Sequence, residues 1–280
     1  MDREIVLGIL ALLAGGLMLL ASALVPQRVP AAASAGRLER LCWLRIWQTL
    51  LPAALAIASV IGWALREPDN AEGLPWWVLA PCVLFAVPPV RAMVRALRTA
   101  VTLPSGVVVG TTGFLRPRVI VAPTFEQTVD VDAYCAALEH EAAHVRHFDP
   151  LRLWAAQFVT DLQWPSRAPR GRLARWRNAL ELARDEEARR RGIDGADLAA
   201  AVIAAAQLGQ LRGAAALGLE DDEADLRERI ARLLAPLPVE ESDAGPGRVA
   251  VAVASSLFAA VVLGAVQGEH VVRALAGSPP

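Results

Sequence analysis

Ile5 to Val25 contains no charged residue. As a helix, a run of that length covers a bilayer core of ~30 Å, so it restricts the chain more than any other feature. It either crosses a membrane or is a secretory leader. Ala21-Ser22-Ala23 imitates a cleavage site, but the head Met1-Asp2-Arg3-Glu4 is not positive and the run is long for a leader's apolar core. The expectation is an uncleaved span. Ile46 to Leu65 is a second candidate and Leu74 to Val90 a third; Pro81, Pro88 and Pro89 make the third kinked, short or re-entrant. Val249 to Val266, again uncharged, is a fourth. Leu198 to Leu219 is apolar too, but it is mostly alanine and is interrupted by Gln207, Gln210 and Arg212, which reads as a buried helix of a water-exposed domain.

Loop charge orients these spans. Arg28, Arg37, Arg40 and Arg45 outnumber Glu39 in the first loop, Glu67, Asp69 and Glu72 outnumber Arg66 in the second, and Arg91, Arg95 and Arg98 follow the third span. The positive-inside rule then puts both termini outside and Arg91 to Arg248 in the cytoplasm. Arg91, Arg95 and Arg98 form one helical stripe, suited to anionic headgroups or to fixing topology alone. The expected organisation is a membrane region over 1–100 with three transmembrane helices, a cytoplasmic domain over 101–240, and a linker, fourth span and short external tail over 241–280. With 55 % hydrophobic and 20 % charged residues, the composition suits a few spans plus an exposed domain. A net charge of −1 carries no nucleic-acid footprint, so direct nucleic-acid binding is not expected. Cys42, Cys82 and Cys135 form no CxxC and read as reduced packing residues.

Within 101–240 the pattern is mostly helical. Val107 to Val109 and Val119 to Val121 are β-branched runs separated by Gly110, Gly113 and Pro117, which predicts a hairpin or bent edge strand. Helices are expected over Val131 to His147, capped by Asp130 or Asp132, and over Leu151 to Leu162, Arg172 to Arg191, Asp197 to Arg212 and Asp222 to Leu234.

The first of these carries His140-Glu141-Ala142-Ala143-His144. Residues four apart share one helix face, so both imidazoles reach one Zn²⁺. Glu141 is turned roughly 100° away and reaches a water rather than the metal, as a general base. An exposed helix with a histidine pair is the bland alternative. A catalytic zinc needs a third protein ligand and an open position. His147 lies about 10 Å along the axis from His140, and His270 follows the fourth span. A carboxylate from another helix is therefore expected. Glu181 and Asp185, also four apart, fit: Glu181 as ligand, Asp185 as acceptor of a ligand histidine's free N–H. A solvated charged helix is the competing reading. The oxyanion donor is either Arg177 or Tyr134, and the strand Val119, Ile120, Val121 is suited to pairing with an extended substrate.

The segment Leu138-Glu139-His140-Glu141-Ala142-Ala143-His144-Val145-Arg146-His147-Phe148-Asp149-Pro150-Leu151 resembles the active-site segment of the BlaR/MecR-type membrane metallopeptidases, regulatory gluzincins with an HE-x-x-H…D-P-L pattern. Glu181 to Asp185 resembles their downstream E-x-x-x-D helix, with Arg184 where a cysteine is common. Gly113 to Pro123 resembles the strand before the helix, and Leu226-Arg227-Glu228-Arg229-Ile230 a short motif near the domain's end. The resemblance implies a zinc metalloendopeptidase of the bacterial cytoplasmic membrane with a gluzincin-like helical domain facing the cytoplasm. It implies Asp149, beside Asp185, as a residue orienting the ligands, and a cytoplasmic DNA-binding repressor as protein substrate, with self-cleavage. Only Gln267 to Pro280 follows the fourth span, with no Ser-x-x-Lys, so no β-lactam sensor is expected. A broad-specificity quality-control protease and a non-catalytic scaffold retaining a structural zinc are the alternatives.

Overall fold

The computed structural model describes residues 16, 18–25, 34–54, 87–98, 108–211 and 219–238. In chain order the named elements are α1 (Ala35–Gln48), the strands β1 (Val109–Thr112) and β2 (Arg118–Val121), a single turn α2 (Pro123–Glu126), α3 (Val131–Arg146), α4 (Asp149–Leu162), α5 (Ala168–Arg190), α6 (Gly195–Leu211) and α7 (Leu219–Leu234). Residues 18–24 and 87–98 are also helical.

Local chemistry sets the boundaries. Asp130 caps α3, its carboxylate accepting the Ala133 amide at 2.8 Å. Asp149 and Pro150 open α4, where proline's missing N–H costs nothing. Pro169 likewise lets α5 begin at Ala168, a turn before the expected Arg172. Phe148, at φ 52°, makes the left-handed turn that folds α4 back towards the end of α3.

β1 and β2 form an antiparallel hairpin with Val109 opposite Val121 and Thr112 opposite Arg118. Gly113 turns it at φ 95°, where a Cβ would sit 2.6 Å from the Arg116 carbonyl oxygen. The hairpin lies on α3. Beneath it α6 packs on α3 through Ala133, Ala137, Ala201 and Phe125, with Val108 at the edge. A second small-residue contact, Ala136, Ala188 and Leu198 with Leu233, joins α3, α5, α6 and α7. Alanine on the inner face of α3 lets neighbouring backbones approach closely, and Gly195 is needed where α6 starts against the Leu233 carbonyl.

The largest side chains sit elsewhere. Trp176 of α5 is fully buried, packed with Cys42, Ile46, Ala156 and Leu180 and flanked by Trp43 and Trp47. A buried tryptophan removes roughly 200 Å² from water, about 5 kcal/mol at ~25 cal/mol per Å². Thus α1, which the sequence assigned to the region before residue 100, shares one core with α4 and α5. Glu186 fixes its start by accepting the Ala35 amide at 2.6 Å. Cys42 is a buried packing residue, Cys135 is an exposed free thiol, and Cys82 lies outside the described residues.

Among the described residues no helix is long and apolar enough to cross a membrane. This overturns the expected polytopic membrane architecture of about four spans and the multi-pass placement in the bacterial cytoplasmic membrane. The longest helix, α5, is rich in Arg and Glu. The start of the expected second span is the end of α1, where Ile46 is buried against Trp176, so its apolarity is spent on protein packing. Ser22, within the expected first span, is buried and receives the Arg172 guanidinium, 2.9 Å from both its hydroxyl and its carbonyl oxygen. Most of the remaining span residues, and the expected linker and tail beyond 238, lie outside the described residues. The mostly helical domain with a small hairpin stands.

Candidate metal centre

His140, Glu141 and His144 are 5, 8 and 7 % exposed, all on the side of α3 that faces a cavity of about 490 Å³. β1 walls the cavity with Val109, Gly110 and Thr111, α6 with Leu198, Ala201, Val202 and Ala205, and α5 and α7 with Glu181 and Arg229.

Glu181 completes a group of three that could hold a metal ion. His140 Nε2 and His144 Nε2 are 3.1 Å apart, and the Glu181 carboxylate oxygens lie 3.4 Å from the first and 3.6 Å from the second. Ligand atoms ~2.0–2.1 Å from a tetrahedral zinc stand roughly 3.3 Å from one another. The spacing therefore fits. So does the donor set, since two imidazoles and one carboxylate form a set that leaves zinc an open position.

The other nitrogen of each ring is already committed. His140 Nδ1 lies 2.8 Å from Asp185 Oδ1, and His144 Nδ1 lies 2.9 Å from Asp149 Oδ2. A ring that donates Nδ1–H presents a lone pair at Nε2, so two lone pairs and a carboxylate meet at one point, with the Arg229 guanidinium beside it, 3.2 Å from His140 Nε2. Each carboxylate is itself held by arginine. Arg184 grips Asp149 at 2.5 and 2.9 Å, with Arg152 at 3.0 Å on Oδ1. Arg229 grips Asp185 at 2.6 and 2.8 Å and reaches Glu181 at 3.1 Å. Bidentate arginine fixes both position and plane of a carboxylate.

The electrostatics follow from these contacts. Burial disfavours the Asp149 carboxylate, but its bonds to His144 and Arg184 outweigh that and hold it below the usual range. Burial also works against Glu181 and Asp185, and Arg229 beside both reverses it, keeping them ionised. Burial lowers His144, whereas its bonds to Asp149 and Glu181 raise it, and the balance pushes it up to about 10.

Glu141 is not part of the ligand group. Thr111 Oγ1 on β1 donates to its Oε2 at 2.7 Å and lies 3.1 Å from its own carbonyl oxygen, tying the carboxylate to the hairpin. His147 lies outside the cavity lining, bonded to Glu187 at 2.8 Å. His270 is outside the described residues. Tyr134 packs beside Phe125, and Arg177 is exposed on α5; neither lines the cavity. Of Val119, Ile120 and Val121, only Ile120 lines it, and β1 is the strand beside Glu141.

Three participants were not singled out from sequence: Thr111, Arg152 and Arg229. Arg229 lay within a segment already noticed, Leu226 to Ile230, but nothing in its spacing ties it to residues on α5. In comparisons with known proteins, the chain matches no family model, no curated protein and no solved structure. What stands is a pre-oriented group able to hold a metal ion, the buried His140 and His144 with the partly exposed Glu181, and the buried carboxylate of Glu141 beside it.

Proposed function

We propose that this chain is a zinc-dependent endopeptidase. The observation that carries the reading is the convergence of a His₂Glu donor set with Glu141 in one largely apolar cavity. A purely structural site has no use for a buried general base at its edge. When bound, zinc supplies a Lewis acid that lowers the pKa of a water toward ~7 and polarises a carbonyl oxygen.

The chain's own residues supply the rest. Glu141 accepts the proton of the attacking water, whose oxygen joins the carbonyl carbon. The C–N bond then breaks, and Glu141 returns the proton to the leaving amine. Thr111 occupies Oε2 of that carboxylate, so Oε1 is left to carry the proton. For the developing oxyanion we assign Arg229 in place of Arg177 and Tyr134, because its guanidinium lines the cavity. Its Nε and Nη2 are engaged with Asp185, Nη2 also with His140 Nε2 at 3.2 Å, and Nη1 makes one contact, to Glu181, which leaves one of its two N–H groups for an oxyanion. The substrate strand is assigned to β1, where Val109 to Thr111 runs along the cavity and an extended peptide can lie beside it. The resemblance to the BlaR/MecR-type enzymes supports a DNA-binding repressor as the substrate.

The test is Glu141→Gln in the full chain. The variant should retain zinc and fold while peptide hydrolysis falls at least ~10²-fold, the usual contribution of a general base. Normal turnover by zinc-loaded Glu141→Gln would remove the mechanism. The same variant, used as a trap, should capture a repressor of this kind; capture of many unrelated unfolded chains instead would favour quality control.

A further inference from the structure

His144 is connected to α1 by an unbroken line of charged contacts through the buried Asp149, the partly buried Arg152 and the buried Glu39. Its Nδ1 bonds Asp149 Oδ2 at 2.9 Å; Asp149 Oδ1 accepts Arg152 Nη1 at 3.0 Å; Arg152 Nη2 donates to Glu39 Oε1. Glu39 Oε1 also accepts the indole N–H of Trp176 at 2.9 Å. Asp149 is 0 % and Glu39 6 % exposed. The Arg152 guanidinium lies over the rings of Trp43, 4.7 Å from the centroid, and Trp176, at 5.6 Å. Glu39 and Trp43 are one turn apart on α1, so this helix supplies both the anion and one of the rings that hold Arg152 in place.

Arg152 is shared between Asp149 and, with α1 docked, Glu39, whereas Arg184 is shared between Asp149 and Glu187, 3.6 Å away. Asp149 and Glu39 are negative, and Arg184 and Arg152 are positive. Without Glu39, Arg152 keeps one anionic partner, which is the Asp149 carboxylate that orients His144. In a buried, weakly screened setting that cation then competes with the imidazole for Asp149. Oriented ligand histidines depend on such carboxylates, whose loss weakens metal binding 10–100-fold.

We infer that Glu39 is a positioning residue of the metal centre, acting through Arg152 and Asp149 on His144, so that docking of α1 sets the metal affinity. The inference rests on the reading that His140, His144 and Glu181 hold the metal. It gives α1 a regulatory meaning: an event that lifts this helix from α5 would loosen the centre from about a hundred residues away in sequence, without touching the cavity.

The experiment is a zinc titration of the full-length, metal-free protein against a chromophoric chelator, together with the ligand-field spectrum of the cobalt-loaded form. Glu39→Gln retains the side chain's size and its bond to Trp176 but removes the charge. Its zinc Kd should rise about tenfold and its cobalt spectrum should shift. The double variant Glu39→Gln/Arg152→Met, which removes the competing cation as well, should recover most of the affinity. A merely structural role would lower the melting temperature and leave the Kd and spectrum of the folded protein unchanged. A Kd within twofold of wild type, with wild type binding one zinc, would overturn this inference alone. Wild type binding no zinc would overturn it together with the metal reading. Should Glu39→Gln fail to fold, Arg152→Lys, which keeps the charge but loses the fork between Glu39 and Asp149, is held to the same outcomes.

Discussion

Glu181 and His147 are rivals for the third place at the metal, and their surroundings decide between them. Glu181 comes from α5 with its oxygens 3.4 and 3.6 Å from the two Nε2 atoms. His147 caps α3 and pairs with Glu187 on an exposed face. Glu181→Ala should therefore lose most of its zinc in metal analysis after dialysis, at least ~10-fold in affinity, while His147→Ala should keep one zinc per chain; the reverse ranking would move the site. At this scale the sequence was informative where one helix brings its own residues together. Spacing of four places His140 over His144 and Glu181 over Asp185 whatever the tertiary fold. The arginines were opaque for the converse reason. Arg184 and Arg229 gain their meaning from carboxylates on other elements, as Arg152 does from Glu39, and no local pattern records those pairings; only the Arg152–Asp149 pair, three apart on α4, is local. Arg177 was singled out and Arg229 was not, yet Arg177 is exposed on α5 while Arg229 reaches from α7 to Asp185.

The hairpin is the element that holds Glu141 apart from the group able to bind a metal. Thr111 on β1 holds Glu141 while α5 presents Glu181 from the opposite side. Thr111→Val, nearly isosteric, leaves the ligands untouched but frees the carboxylate. It should retain full zinc content and lower kcat about tenfold with little change in KM, consistent with the loss of one partly buried hydrogen bond of about 1–1.5 kcal/mol. Loss of zinc, or a change confined to KM, would show that Thr111 supports folding or substrate binding instead. β-branched runs and the intervening Gly113 made the hairpin legible, and the strands fall within a few residues of the expected Val107 to Val109 and Val119 to Val121. Which strand faces the helix was not legible. Alternation marks a buried face but does not say which neighbour covers it. The substrate-strand expectation therefore fell on β2, whereas β1 carries the contact to Glu141.

For the whole molecule the lesson lies in what the apolar residues are spent on. Hydropathy registers that a stretch avoids water but not whether lipid or protein covers it. Around Ile46 the cover is α5 and its Trp176, and around Leu198 it is α3 and α7. The second was recognised because alanine and glutamine dilute it; the first was not, because Ile46 continues into a genuinely apolar run. The same docking that removes α1 from the spans brings Glu39 to Arg152 and so connects it to the metal ligands. Whether His140, His144 and Glu181 bind one zinc is read by diffraction from zinc-loaded crystals on either side of the zinc absorption edge. A single anomalous peak per chain is expected, within bonding distance of both Nε2 atoms and the Glu181 carboxylate and open to the cavity beside Glu141. Zinc-saturated crystals with no peak at that point, or with the peak on another set of residues, would contradict that expectation.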